Sequence, residues 1–298
     1  MPDLTRFAWL SVAAAVATIA LKVWAWSITG SVGLLSDAAE SVVNLIAALV
    51  ALWALTAASK PATDDHQFGH SKAEYFSAGV EGAMIFIAAA FIVVTALPRL
   101  FEPQPLEAVG IGLAISMAAS ALNGVVGLVL VRAGQKYRSM ALEADGKHLW
   151  TDVITSIGVL VGIGLVWVTG WLWLDALTAL AVGVNILFTG GKLVRESVAG
   201  LLDKSMEKED LADLRTILKG YRDANGGEIN FHELRTRESG RQLFVEFHYL
   251  VPGKWDVSFA HDLLEEVETD IRDRFPGVHI SSHMEPIEDE RAYGDVHL

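Results

Sequence analysis

Six long stretches dominated by apolar residues follow one another along the chain, at roughly residues 7–29, 32–57, 75–98, 107–132, 141–169 and 171–198. A hydrocarbon core about 30 Å thick takes about 20 helical residues, so each stretch is long enough to cross it. Gly30, Pro98, Gly134 and Gly170 fall at the joins, where turn formers belong. Basic residues are unevenly divided between the two sets of ends. Arg6, Lys60, Lys72, Arg132, Lys136, Arg138, Lys192 and Arg195 lie at one set and mainly Arg99 at the other, which predicts that both termini are cytoplasmic. The opening MPDLTRFAWLSVAAA has neither a strongly basic start nor a clear cleavage site and reads as entering the first span directly.

After Leu202 the pattern changes. Residues 203–298 hold 22 acidic and 12 basic residues and no apolar run long enough to span. LADLRTILKGYRD has helical periodicity, INFHELRTR and the alternating RQLFVEFHYLV suit strands, and VHISSHMEP closes as a short strand ending at Pro286. Between them FAHDLLEEVETDIRDRF repeats Phe259, Leu263, Val267 and Ile271 on one helical face. The fold class expected is therefore an α-helical membrane protein. Six transmembrane helices in residues 1–202 precede a small α+β domain in residues 203–298, of β-α-β-β-α-β, ferredoxin-like order.

Polar residues inside the apolar stretches change the picture. Asp37, Glu40 and Asn44 share one face of the second span, and Asp145, His148 and Asp152 repeat the same offsets in the fifth. Facing each other, Glu40, Asn44, His148 and Asp152 supply three oxygens and one imidazole nitrogen, a set suited to a borderline divalent metal. A single such residue is as well explained by interhelical hydrogen bonding. A matched pair of motifs points to an ion path, because ionisable groups in lipid are costly. Glu81 and Asp175 lack a repeated motif; Asp175 reads as a helix-end or packing residue, and Lys22 as a snorkelling one.

Outside the spans, TDDHQFGHSKAE sets His66 and His70 four residues apart beside Asp64 and Asp65, either a metal loop or a solvated polar turn. His232, His248, His261 and His283 fall one each on the predicted strands and helix of the second domain, and Glu285 shares a strand face with His283. Seven of the nine histidines thus sit in three metal-like clusters, leaving His279 and His297. With no cysteine, thiolate sites and disulfides are excluded. A formal charge of −13 argues against nucleic acid and for cations. No nucleophile elbow, P-loop or HExxH motif supports an enzyme.

The paired motifs DAAESVVN and DGKHLWTD, the loop DDHQFGHSKAE, and HELRTRESG with SSHMEP together resemble the cation diffusion facilitator family, notably its bacterial zinc and iron efflux members. The resemblance covers essentially the whole chain. It implies a homodimer in the bacterial inner membrane that exports a divalent metal in exchange for protons by alternating access. It maps the transport site to Glu40, Asn44, His148 and Asp152, and a loop site to His66 and His70 with a nearby Asp. A cytoplasmic binuclear site maps to His232, His248, His261, His283 and Glu285, and an inter-subunit charge interlock to Lys72 and Asp203. The chain departs from the zinc members at Glu40 and Asn44, where Asp is usual, at Thr63, near the usual loop Asp, and at Glu285, again for Asp. Asparagine at position 44 is similar to manganese members. Zinc is the expected cargo, with iron(II), cobalt and manganese behind it. A membrane-anchored metal sensor or storage protein is the alternative from another class.

Overall fold

The structure, a computed structural model, describes residues 4–29, 32–102 and 110–294; the side chains of 32–40 and of some other helical positions fall outside that description. The chain forms two compact units, Met1–Leu201 and Leu202–Leu298. Among the described residues the first is built on six long helices: α1 (Thr5–Thr29), α2 (Val32–Ala58), α3 (Ala73–Phe101), α4 (Gly110–Tyr137), α5 (Met140–Thr169) and α6 (Trp173–Leu201). Among the described residues four stretches are long and apolar enough to cross a membrane, Thr5–Trp24, Ala73–Phe101, Met117–Tyr137 and Ala176–Leu201. The other two long helices, α2 and α5, carry the paired polar motifs.

Helix ends follow local chemistry only in part. Ser139 caps α5 by accepting from the Leu142 amide at 3.5 Å, and Gly170 closes it in the left-handed region at φ 74°. Pro98, expected at a join, lies instead inside the last turn of α3, whose end is closed by the Glu102 amide bonding to the Pro98 carbonyl. There the missing Pro98 amide donor forfeits one bond to the carbonyl four residues back, a loss confined to the last turn. Gly134 likewise sits within α4, where its lack of a Cβ admits the backbone of Glu143.

Helices α3 and α6, α4 and α5, and α1 and α2 pack most extensively, and α2 also meets α5. At the α4–α5 crossing a Cβ on Gly146 would come within 2.8 Å of the Val131 nitrogen and 2.9 Å of the Gly127 oxygen. The close approach of these two backbones is what brings polar side chains of α4 within reach of α5. Large apolar side chains such as Trp9, Phe91, Val94 and Phe188 face outward, as a lipid-embedded surface requires. Lys22 does not snorkel out; it is largely covered by the bundle.

The second unit runs α7 (Lys208–Ala224), β1 (Asn230–Ser239), β2 (Gln242–Val251), α8 (Val257–Arg274) and β3 (His279–Pro286), with a short 3-10 turn at Glu290–Tyr293. The sheet order is β1-β2-β3, with β1 antiparallel and β3 parallel to β2. Val245, Phe247, Tyr249 and Val251 of β2 are buried in one core with Leu214 and Leu218 of α7 and Ala260, Leu264, Val267 and Ile271 of α8. Truncating Phe247 to Ala in such a core costs about 3–5 kcal/mol. The opposite face of β2 is left for His248.

Two expectations are corrected here. The sheet has three strands among the described residues, in α-β-β-α-β order. The segment standing where a first strand was expected meets β1 through one backbone bond, from the Glu238 amide to the Lys204 carbonyl at 2.9 Å, and through side chains, from the Met206 amide to Thr236 Oγ1 at 3.3 Å and from Arg237 to Asp203 at 3.3 Å. It is too short for a ladder. The buried face of α8 is also rotated from the expected one. Ala260 and Leu264 are buried, whereas Phe259 is exposed and rests edge-on against Trp255. With apolar residues at both 263 and 264, the small Ala260 lets the helix sit closer to the sheet on its own side.

Candidate functional site

In the helical unit, α2 presents Asn44 and α5 presents His148 and Asp152, one turn apart, into the same buried space. His148 Nε2 lies 2.9 Å from Asn44 Oδ1. An amide oxygen only accepts, so Nε2 is the donor in this arrangement. The Asn44 amide nitrogen donates in turn to Asp152 Oδ2, forming a short chain from imidazole through amide to carboxylate. These are three of the four residues expected to bind a transported ion. The fourth, Glu40, is on α2 one turn before Asn44; its side chain, like that of Asp37, lies outside the described residues.

A fifth polar residue joins this group unannounced. Asn123, on α4 and 3% exposed, donates from Nδ2 to the same Asp152 Oδ2 at 3.2 Å. One turn away, Ser120 and Ser156 share a hydrogen bond of 2.6 Å. Asn123 stands in an apolar run without a repeated motif; the only sequence signal was an uncompensated amide at membrane depth. Asp145, a turn before His148, is buried with one carboxylate oxygen lacking a hydrogen bond among the described residues. Glu81 on α3 is also buried, receiving a bond from Ser77 at 3.3 Å. The side chain of Asp175 is outside the description.

In the loop between α2 and α3, Gly69 turns the chain at φ 80° and brings the His66 and His70 rings to 4.5 Å between centroids. Thr63 and His66 pair through both backbone hydrogen bonds, and Asp64 and Asp65 are exposed at the tip. Lys72 donates to the Leu201 carbonyl at 3.2 Å. Asp203, at φ 57°, receives Arg237 at 3.3 Å, a partner not anticipated from sequence.

The second unit concentrates histidine. His232, His248 and His283 are direct cross-strand partners, one row across all three strands. Since β2 buries its odd-numbered side chains under the helices, this row lies on the other face. Glu285, two residues along β3, reaches into the row: Oε2 is 3.2 Å from His232 Nε2 and 3.1 Å from His248 Nδ1, and Oε1 is 3.4 Å from His283 Nε2. Among the described residues, His232, His248 and Glu285 are the one group of three or more His, Asp or Glu whose ligand atoms all lie within 4.8 Å of one another. A register shift between His232 and Arg235, with Glu233 at φ 48°, interrupts the β1–β2 ladder beside the row before pairing resumes at Arg235. The His232 ring also meets Tyr293 at 5.8 Å. His261 is not brought into this group; it projects from α8 towards Glu265 at 3.9 Å. His279 stacks on Phe244.

A bundle with outward apolar surface and buried imidazole, amide and carboxylate groups, attached to a sheet that gathers imidazoles around one carboxylate, defines an integral membrane protein of cation transport. Residues 8–202 match the family model for a cation efflux transmembrane domain, and residues 206–287 the one for the cytoplasmic domain of cation efflux proteins. The chain belongs to the cation diffusion facilitator family. It is 50% identical over 287 residues to the uncharacterized transporter sll1263 of Synechocystis, covering 96% of this chain and 92% of that one. It is 34% identical over 284 residues to the cation-efflux pump FieF of Klebsiella pneumoniae, covering 95% and 92%. A solved structure of CzrB in its Zn form is 35% identical and covers 30% of this chain and 97% of that one, with a TM-score of 0.27.

Proposed function

We propose that the chain exports a divalent cation from the cytoplasm in exchange for protons, with zinc foremost and iron(II), cobalt(II) and manganese(II) as further cargo. In this reading all six long helices span the bacterial inner membrane, both termini are cytoplasmic, residues 1–202 transport and residues 203–298 bind metal and dimerise. The observation that carries it is the hydrogen-bonded chain from buried His148 and Asn44 to half-buried Asp152 across α2 and α5. Its ligand atoms already converge before any ion arrives.

Glu40, Asn44, His148 and Asp152 hold the cargo ion. On binding, Asn44 Oδ1 leaves the His148 N–H, and Asp152 Oδ2 exchanges its amide donors for the ion. The imidazolium form of His148 gives its Nε2 proton to water and keeps the hydrogen on Nδ1, leaving the Nε2 lone pair to the ion, so metal and proton compete at one atom. When the site opens to the other side, a proton returning to His148 restores its bond to Asn44 and expels the ion. Imidazole suits this because it exchanges protons near neutral pH. Asp64, Asp65, His66 and His70 form a loop site for cytoplasmic metal.

His232, His248, His283 and Glu285 are the cytoplasmic metal ligands, while His261 on α8 stays with Glu265. An ion held there would set positive charge against the Glu285 carboxylate and would tie side chains of β1, β2 and β3 to one another. Bound metal favours the homodimer, in which Lys72 and Asp203 make the charge interlock. Because this cluster is the tightest ligand group in the described residues, a metal sensor without net transport is the second reading.

Uptake of metal into proteoliposomes under an imposed pH gradient separates the two. Gradient-driven uptake in the parent, lost in Asp152→Ala, is the expected result. Metal binding with no gradient-dependent flux would sink the transporter reading and leave the sensor.

A further inference from the structure

We propose that Asn123 of α4 is a further donor to the transported ion and sets how far the site accepts ions other than zinc. The inference rests on the reading of Asn44, His148 and Asp152 as the transport site. Asn123 Nδ2 is 3.2 Å from Asp152 Oδ2. Two oxygens bound to one ion at about 2.1 Å lie roughly 3.0–3.4 Å apart, between right-angled and tetrahedral arrangements. A half-turn of the Asn123 amide about its last torsion therefore puts Oδ1 where Nδ2 now stands, at a separation that two ligands of one ion adopt. That Oδ1 is buried and has no hydrogen-bond partner among the described residues. The Asn44 oxygen, 2.9 Å from His148 Nε2, shows that the neighbouring amide already holds such a spacing.

The consequence is a change of coordination class. Glu40, Asn44, His148 and Asp152 are a four-donor set, and four donors suit tetrahedral zinc. A second amide oxygen gives a fifth position and a set of four oxygens with a single nitrogen. Oxygen-rich sites with more than four ligands suit harder ions such as manganese(II). The amide adds this donor without adding charge. The position is built for it: Gly127 and Gly146 bring α4 against α5 one turn beyond Asn123, and the Ser120–Ser156 pair fixes the two helices on its other side.

The test compares Asn123→Leu with Asn123→Asp, similar in shape and differing in whether an oxygen donor remains. Full-length protein in lipid nanodiscs, with His66, His70, His248 and Glu285 replaced by Ala to silence the loop and cytoplasmic ligands, is titrated with manganese(II) and with zinc(II). Expected is a fall in the manganese-to-zinc affinity ratio of about tenfold in Asn123→Leu, with the ratio held or raised in Asn123→Asp. An equal loss for both ions in Asn123→Leu, no change in the ratio, or a matching fall in Asn123→Asp overturns the proposal. Asp152→Ala in the same background keeps the two ideas apart. If it leaves binding intact, the transport site itself is misplaced. If it abolishes binding while Asn123→Leu keeps the parent ratio, only the role of Asn123 fails.

Discussion

Tyr249 is fully buried in the cytoplasmic unit and its hydroxyl has no hydrogen-bond partner among the described residues. Burial pushes its phenol from 10.0 up to about 12. Tyr221 is also raised to about 12, by burial first and then by the bond it donates to Asp270 at 2.8 Å. The unfolded chain releases both protons near pH 10 and the folded unit keeps them to about 12. Over that interval the unfolded state binds fewer protons, so stability is intact below it and falls as pH rises through it. Thermal unfolding followed by fluorescence in alkaline buffers should show this fall, and Tyr249→Phe should reduce it. Near neutral pH the same substitution should be neutral or stabilising by about 1 kcal/mol, because it removes a buried hydroxyl that bonds nothing. At this scale the sequence showed which residues could act, since an amide or imidazole in an apolar run is conspicuous. It did not show that Glu285 bridges three histidines, or that Asn123 reaches Asp152. Apart from His283, the partners concerned lie more than 20 positions away.

Helices and strands were legible because their periodicities are local. The six long helices fall close to the expected stretches, and His232, His248 and His283 needed only strand geometry to be placed on strands. What failed was the choice between adjacent candidates, as in the buried face of α8, or between short segments, as in the missing first strand. Both were settled by what the sheet could cover. The α4–α5 crossing gives a test. A Cβ at Gly146 would strike backbone atoms at 2.8 and 2.9 Å, which cannot swing aside. Overpacking of this kind costs about 1–3 kcal/mol, so Gly146→Ala should lower the melting temperature and weaken metal flux by moving α4 away from Asp152. Gly220→Ala is the control: that position in α7 has nothing within 4 Å. There the substitution should leave flux unchanged and stabilise by up to about 1 kcal/mol through helix propensity. Equal effects at both positions would show that the crossing does not govern the site.

For the molecule as a whole, the two units carry separate ligand sets, so binding to one can be read apart from the other. In the proposed reading, metal at His232, His248 and Glu285 takes one ligand from each of three strands, which only the folded sheet brings together. At a concentration one hundred times its dissociation constant it adds about 2.7 kcal/mol to the stability of that fold. Hydrogen exchange at the amides of β1, β2 and β3 should therefore slow when zinc is added to the full chain. Glu285→Ala should remove the effect, and acidification should weaken it, because protons compete for imidazole and carboxylate. Unchanged exchange in the parent would show that the histidine row is not a metal site.

The amino-acid sequence by itself determined the helical and α+β halves, the matched polar faces of α2 and α5, and the assignment of histidines to strands, because spacing along one element fixes which side chains share a face. Only the tertiary structure decided that α4 adds an amide to the site, that His261 stays outside the cytoplasmic cluster, and that one carboxylate serves three imidazoles. Meetings between elements depend on how closely backbones approach and in which register strands pair. Glycine crossings and cross-strand partners set both, and neither is contained in any single stretch of chain.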